Sequence, residues 1–248
     1  MRRLRRLSNN GVNFVLRTVA ETGSTNEDMK LLAREGAAEG LWLRAERQSA
    51  GRGRMGRSWE GSTGNLFAST LVRILPQDPP ASTLALATAV AAHRALEEFL
   101  GTGRVTIKWP NDIMAGEAKL CGILMEREGD AVVIGIGVNV VDAPRVPGRE
   151  ITCLHALGAA GCDAQAVLEA IARCFSEELV RWRTYGCETT IRAWLGRAHP
   201  PGTPITVHLP AGETLTGTFG TLAPDGAFIL RLAGGGERAI HSGEIWLT

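Results

Sequence analysis

A glycine-rich segment limits the folds that are open to this chain. Gly51, Gly53 and Gly56 satisfy the G-x-G-x-x-G pattern that precedes the first helix of a dinucleotide-binding α/β fold. That fold requires an apolar helical face directly after the last glycine, so that the helix N-terminus can hold pyrophosphate. Residues 57–64, Arg-Ser-Trp-Glu-Gly-Ser-Thr-Gly, supply no such face. The segment therefore predicts a flexible loop, and it argues against a nicotinamide-dependent oxidoreductase.

The remaining periodicity predicts strands and helices without regular βαβ alternation. Two runs, 119–126 and 131–140, are joined through Glu128-Gly129-Asp130 as a hairpin. Further strands are predicted over 14–19, 41–45, 65–75 and 105–109, and helices from Ser24, over 82–100, over 164–184 and near 188–196. Ser24 with Glu27 matches the capping box, and Ser82 is the predicted cap of the second helix. The pattern indicates an α+β fold with a mixed, largely antiparallel sheet covered by helices.

The character of the chain changes after His199-Pro200-Pro201-Gly202. Short β-like runs broken by Gly and Pro follow, which is typical of a small antiparallel barrel or sandwich. We therefore predict two domains, a larger domain of mixed strands and helices over 1–198 and a small β-domain over 199–248.

Composition excludes several classes of protein. The formal net charge is +1, so no global basic field indicates nucleic acid as the main partner. The arginines of Met1–Leu7 are interpreted as a solvated, frayed terminus, since no apolar signal-peptide stretch follows them. The five cysteines form no Cys-x-x-Cys pair and the five histidines no ligand spacing, so we expect reduced thiols, a cytoplasmic location and no protein-held metal. No run is long enough for a membrane span.

Three segments carry residue types suited to binding and catalysis. The glycine loop holds Arg52, Arg54 and Arg57, whose guanidinium groups can grip phosphate or carboxylate while the glycines allow close approach. Lys108-Trp109-Pro110-Asn111-Asp112 ends a strand with a carboxylate beside a lysine, although a turn cap and a core tryptophan would also explain it. Lys119 stands at the mouth of an apolar strand, where a surface lysine is the ordinary alternative.

In this order, the segments resemble the catalytic domain of biotin–protein ligases. The resemblance rests on Gly23–Asn26, Gln48 with Gly51–Trp59, Lys108–Asp112, Lys119–Glu126 and Gly135–Val140, and it extends from about residue 14 into the C-terminal part. It implies a class II synthetase-like catalytic fold and a C-terminal SH3-like β-barrel. It also implies that biotin and ATP form biotinoyl-5′-AMP with release of pyrophosphate, and that an acceptor lysine then displaces AMP.

The resemblance assigns roles position by position. Lys119, Arg54 and Asp112 are the implied catalytic residues, with Lys119 polarising the biotin carboxylate and the α-phosphate. The implied biotin contacts are Ser24, Thr25, Asn26, Gln48, Gly51, Arg52, Gly53, Arg54, Lys119, Gly122 and Gly137. The implied ATP contacts are Arg52, Arg54, Arg57, Trp59, Asn111, Lys119 and Asn139. Mg²⁺ is expected with ATP, held by phosphates, and residues 51–58 are expected to be mobile without ligand.

The implied partner is a biotin carboxyl carrier domain of acetyl-CoA carboxylase or a related carboxylase. Too few residues precede the first predicted strand for an N-terminal DNA-binding domain, so the short, enzyme-only type is expected, without DNA, as a monomer or homodimer. Two alternatives remain open at this point: a lipoate ligase or octanoyltransferase, and a DNA-binding biotin sensor.

Overall fold

The computed structural model describes residues 3–9, 12–210 and 212–247. Its strands and α-helices, in chain order, are β1 Arg3–Asn9, β2 Val12–Thr22, α1 Thr25–Arg34, β3 Leu41–Gln48, β4 Leu66–Arg73, α2 Leu84–Leu100, β5 Thr106–Lys108, β6 Asp112–Ala115, β7 Ala118–Glu128, β8 Ala131–Val138, α3 Ala164–Leu195, β9 Pro204–His208, β10 Thr214–Leu222, β11 Phe228–Leu232, β12 Glu237–Ile240 and β13 Glu244–Leu247.

The first eight strands form one mixed sheet in the order β1-β2-β3-β4-β8-β7-β6-β5. Strands β2 and β3 pair in parallel, and the other neighbours pair antiparallel. The predicted hairpin is β7–β8, in which Glu128 lies opposite Ala131. The α+β prediction, with a mixed and largely antiparallel sheet, is confirmed.

Helices cover both faces of this sheet. Because successive residues of a strand point to opposite faces, neighbouring residues pack into different cores. Trp42, Val72 and Val132 belong to the large core under α2 and α3. Their chain neighbours Leu43, Leu71 and Val133 pack instead with Met29 and Ala33 of α1. The apolar run of each central strand is therefore buried on both faces of the sheet. A shift of one residue in strand register would move each side chain to the opposite core.

The C-terminal strands form a second, antiparallel sheet in the order β12-β11-β10-β9-β13. Aromatic rings join it to the rest of the molecule. Phe228 stacks on Phe219 with ring centroids 4.7 Å apart, and these two rings contact Trp109 and Trp194 of the larger part at 5.4 and 6.3 Å. Such contacts hold the small sheet beside the turn that follows β5.

The structure corrects three local predictions. Residues 3–9 are not a frayed terminus but a strand, because their backbone pairs with β2 from Arg3 opposite Thr18 to Asn9 opposite Val12. Ser24 does stand at the N-cap of α1, but its side chain makes no capping hydrogen bond, and Glu27 pairs with Lys30. The second helix begins at Leu84 rather than at Ser82.

Two further features of the helices bear on the predictions. Ser82 donates from its hydroxyl to the carbonyl of Asp225 at 2.7 Å, so it ties the helix entrance to the small sheet. The predicted pair of helices near the end of the larger domain appears as α3, interrupted at Gly186, where φ is 74°. In the part of the chain that the structure describes, no helix has the length and apolarity to cross a membrane.

Candidate active site

A cavity of about 500 Å³ opens on the α1 side of the large sheet, between the N-terminus of that helix and β13. Every residue implied by the sequence as a contact lines it, except Gly51. Those lining residues are Ser24, Thr25, Asn26, Gln48, Arg52, Gly53, Arg54, Arg57, Trp59, Asn111, Asp112, Lys119, Gly122, Gly137 and Asn139. Residues from five distant segments therefore converge on one volume, which is the size of a small-molecule site.

Gly51 is the one predicted contact that does not line the cavity. A Cβ atom there would lie 2.5 Å from the carbonyl oxygen of Trp59, and the Trp59 amide donates to the Gly51 carbonyl at 2.9 Å. The glycine thus allows the two ends of the loop to pack closely together. Its place is in the closure of the loop rather than in the cavity wall.

Gly122 and Gly137 make room for a protein side chain. A Cβ atom on Gly137 would lie 2.3 Å from the indole of Trp59, and one on Gly122 would lie 2.8 Å from the same ring. Both glycines line the cavity, and the Trp59 ring lies close against them; their role as biotin contacts stays a prediction. Trp59 becomes part of the cavity wall.

Lys119 and Asp112 form an ion pair at the centre of the cavity. Their Nζ and Oδ1 atoms lie 2.6 Å apart, and the lysine side chain is 20% exposed. Asp112 begins β6 directly after the Pro-Asn turn, and its register partner on β7 is Gly122, so no side chain stands between the carboxylate and Lys119. The ammonium also lies 5.3 Å from the ring centroid of Trp59.

Two arginines of the glycine loop, Arg54 and Arg57, contact the small sheet, whereas Arg52 pairs with Glu27 of α1 at 3.2 Å. Nη1 of Arg54 lies 3.5 Å from Oδ1 of Asn111 and 3.4 Å from the carbonyl oxygen of Gly243. Arg57 pairs with Glu244 at 3.0 Å, and Arg149 pairs with the same carboxylate oxygen at 2.8 Å. The small C-terminal sheet therefore contributes directly to the wall of the cavity.

Burial and charge change the proton affinities of these groups. Burial lowers the pKa of Arg54 and that of Lys108, in each case against the attraction of Asp112. For Glu244, burial opposes ionisation, but Arg57 and Arg149 outweigh it and hold the pKa below its ordinary value. An excess of partly desolvated positive charge surrounds the cavity, which favours anionic ligands.

The opposite end of the cavity is uncharged and polar. Gln48 Oε1 accepts from the Thr25 amide at 2.7 Å and from the Thr25 hydroxyl at 3.0 Å. Asn26 is 4% exposed and lies against Gly135, where a Cβ atom would come within 2.3 Å of its amide oxygen. This end offers neutral donors and acceptors, whereas the other end offers cations.

Two asparagines predicted as ATP contacts line the cavity, but their side-chain amides donate hydrogen bonds to backbone carbonyls. Asn111 donates to the Ile123 carbonyl at 2.6 Å, and Asn139 donates to the Thr152 carbonyl at 3.0 Å. These bonds hold the segments after β5 and β8 in position. Their role as direct ATP contacts stays a prediction.

Sequence reasoning missed several residues of the site. Arg145, Arg149 and Glu244 line it from the loop after β8 and from β13. Asn65 is buried, and its Oδ1 accepts from the amides of Val140, Val141 and Asp142, which shapes the start of that loop. Two arginines in a proline-containing loop were the only signal available in the sequence, because the contacts span distant segments.

Comparisons with known proteins agree with this geometry. The family model described as Biotin/lipoate A/B protein ligase family matches residues 21–139, and the model of the Biotin protein ligase C terminal domain matches residues 202–247. Together they include the lining residues of the cavity other than those at 144–151.

Full-length relatives show the same similarity. The biotin–acetyl-CoA-carboxylase ligase of Paracoccus denitrificans is 35% identical over 241 residues, which cover 92% of this chain and 98% of that protein. A protein of the same name from Mycobacterium tuberculosis is 32% identical over 237 residues, covering 93% and 88%. The structure of biotin protein ligase from Aquifex aeolicus in complex with biotin and ATP superposes with a TM-score of 0.80 at 27% identity, covering 94% of this chain and 98% of that one.

Proposed function

The chain belongs to the family of biotin–protein ligases, and from that premise we propose that it converts biotin and ATP to biotinoyl-5′-AMP and then transfers the biotinoyl group to a lysine of an acceptor protein. The observation that carries this proposal is the composition of one cavity. Its uncharged polar end suits the ureido ring, and Lys119 with the loop arginines suits a carboxylate joined to phosphate.

We assign the ring of biotin to the end formed by α1 and β3. Gln48 Oε1 is already occupied by two donors of Thr25, so the Nε2 group of this amide remains available to donate. A ureido carbonyl is a strong acceptor, and Ser24 and Asn26 provide further polar atoms at the same wall. The apolar walls of the cavity, which include Phe67 and Ile123, suit the thioether ring and the aliphatic chain.

In the first step, a biotin carboxylate oxygen attacks the α-phosphorus of ATP and pyrophosphate leaves. Negative charge accumulates on the phosphoryl oxygens, and Lys119 and Arg54 are placed to stabilise it. Arg52, Gly53 and Arg57 complete the loop around the adenylate, and Trp59 offers a flat surface for the adenine.

In the second step, the amine of the acceptor lysine attacks the carbonyl carbon of the mixed anhydride and AMP leaves. We assign to Asp112 the role of receiving the amine and accepting its proton. Binding of the adenylate would draw Lys119 toward the phosphoryl group and release the carboxylate from its ion pair.

Mg²⁺ accompanies ATP, but this cavity does not fit a protein-held ion. Three carboxylates line it, Glu60, Asp112 and Glu244, and the last two are paired with cations. Within residues 3–9, 12–210 and 212–247 no group of three His, Cys, Asp or Glu residues could hold a metal. The metal is therefore assigned to the phosphates and not to side chains, and the steps above are derived without it.

The relatives named as acetyl-CoA-carboxylase ligases support a biotin carboxyl carrier domain as the acceptor. A cytoplasmic setting is consistent with the free state of Cys121, Cys153, Cys162, Cys174 and Cys187. The family description also includes lipoate ligases, but the match of residues 202–247 is to the biotin-specific C-terminal domain. Biotin is therefore favoured over lipoate.

Biotin-dependent exchange of labelled pyrophosphate into ATP tests the first step without an acceptor. We expect exchange that requires both this protein and biotin and that does not occur with lipoate. Exchange with lipoate alone would move the protein to the lipoate branch of the family, and exchange with neither acid would contradict the assignment of the cavity.

A further inference from the structure

A chain of buried hydrogen bonds runs behind the polar end of the cavity. Ser69 on β4 is 0% exposed and donates from its hydroxyl to Asn26 Oδ1 at 2.6 Å, with Thr25 Oγ1 also within reach at 2.8 Å. Asn26 in turn donates from Nδ2 to Glu126 Oε2 at 2.8 Å. The groups that face the cavity are therefore backed by groups that do not line it.

Glu126 is the charged end of this chain. Its carboxylate accepts from Lys30 at 3.0 Å as well as from Asn26. Burial would raise the pKa of Glu126, but Asn26 and Lys30 outweigh burial and lower it, so the group is ionised. An ionised carboxylate can only accept, and this fixes the Asn26 amide with its NH₂ group toward Glu126 and its oxygen toward Ser69.

The orientation of the Gln48 side-chain amide can be assigned in the same way. The Thr25 backbone N–H is an obligatory donor, and it meets Gln48 Oε1 at 2.7 Å, so the glutamine oxygen points to α1 and its nitrogen points away. Ser69 Oγ lies 2.8 Å from Thr25 Oγ1, directly behind the hydroxyl that donates to Gln48. Gly135, opposite Ser69 in the β4–β8 register, leaves the space in which Asn26 sits.

We propose that Glu126 and Ser69 are positioning residues for ring recognition: without contacting the substrate, they set which way Asn26, Thr25 and Gln48 present their donors and acceptors to the ureido ring. This inference rests on the proposed function, because it assigns that end of the cavity to biotin. A pocket whose polar groups are already oriented binds its ligand without the free-energy cost of ordering those groups. Removing Ser69 or the charge of Glu126 would leave a buried polar group without its hydrogen-bond partner and so weaken binding.

The chain offers a matched control for Glu126. Glu128 lies two residues further along the same strand and pairs with Arg34 of α1 at 2.8 Å, as Glu126 pairs with Lys30. Both carboxylates join β7 to α1, but only Glu126 bonds to a residue that lines the cavity. Glu126→Gln and Glu128→Gln therefore separate the positioning role from the role of an ion pair to the helix.

The experiment measures biotin affinity by calorimetry without ATP, and KM for biotin, KM for ATP and kcat by pyrophosphate exchange. We expect Glu126→Gln and Ser69→Ala each to weaken biotin binding and to raise KM for biotin about tenfold, as expected for losing one hydrogen bond to a buried or charged group. KM for ATP and kcat should stay within about twofold, and Glu128→Gln should match the parent protein.

Three outcomes would overturn the inference. Unchanged biotin affinity in both variants would show that the buried chain does not act on the ring. A uniform loss in all parameters with a lowered melting temperature would show a structural role only. If the parent protein itself bound no biotin, the proposed function would fall as well, and this result is distinct from the other two.

Discussion

Lys119 and Asp112 lie in direct contact, with 2.6 Å between Nζ and Oδ1, although their charges serve different steps of the proposed reaction. The lysine is assigned to the phosphoryl group and the carboxylate to the incoming amine. In the proposed reaction, adenylate formation and acceptor attack would therefore be coupled through one ion pair.

Removal of either cation assigned to adenylate formation, Lys119 or Arg54, should strongly slow the first step and leave the fold intact. Lys119→Ala and Arg54→Ala are each expected to slow biotin-dependent pyrophosphate exchange by about 10²–10³-fold, because a positioned charge at the transition state is lost. Arg127→Ala, on the same strand as Lys119 but exposed, is the control and should retain activity. Full activity in both cavity variants would contradict the assignment.

Asp112→Asn should separate the two half-reactions. The amide retains the shape of the carboxylate but cannot accept the amine proton, so transfer should slow by about 10²-fold or more while exchange stays within a few-fold. Mass spectrometry of the protein fraction is then expected to show biotinoyl-5′-AMP accumulating. An equal loss in both half-reactions would instead assign Asp112 to holding Lys119.

Gly137 lies directly under the Trp59 ring, and a side chain at this position would collide with it. In Gly137→Ala the new Cβ would collide with an indole placed only 2.3 Å away, so we expect a loss of about 1–3 kcal/mol in the free energy of unfolding and a displaced tryptophan. Gly161→Ala, where no atom lies within 4 Å, is the control. Urea unfolding followed by tryptophan fluorescence measures both; equal stability of the two variants would show that the ring moves freely.

Glu244 should couple the small sheet to the glycine loop in a pH-dependent way. Its pKa is held below the ordinary 4.5 by Arg57 and Arg149, so its pairing stabilises the folded state above that pH and is lost as pH falls through the folded-state value. The stability difference between the parent protein and Glu244→Gln is therefore expected at pH 7 and should vanish in acid. A difference that persisted below pH 3 would show that charge is not its source.

The elements that sequence predicts well are those with local signals. The β7–β8 hairpin has two apolar runs around Glu128-Gly129-Asp130, and α2 has a long apolar stretch ended by Gly101, so periodicity and turn chemistry suffice. The arginines of β1 carry no apolar alternation, and only pairing with β2 makes that segment a strand. Local signals cannot show such pairing.

The residues of the candidate site also fall into those that sequence motifs predict and those that they do not. Lys119, Asp112 and the loop arginines stand in motifs whose spacing and order can be compared, and the structure brings them to one cavity. Arg149, Glu244 and Ser69 were not predicted as site residues, because their partners lie 43 to 187 residues away in sequence. The sequence likewise does not predict that the Trp59 ring lies over Gly137. A glycine within a strand indicates that another group packs closely against it, but not which residue that is.

The intact mass of a biotin carboxyl carrier domain, measured after incubation with this protein, biotin, ATP and Mg²⁺, tests the central claim most directly. We predict a single biotinyl increment that requires both biotin and ATP and that disappears with Lys119→Ala. The absence of an increment on the carrier domains of acetyl-CoA carboxylase and related carboxylases, while a lipoyl domain gained lipoate, would contradict the account.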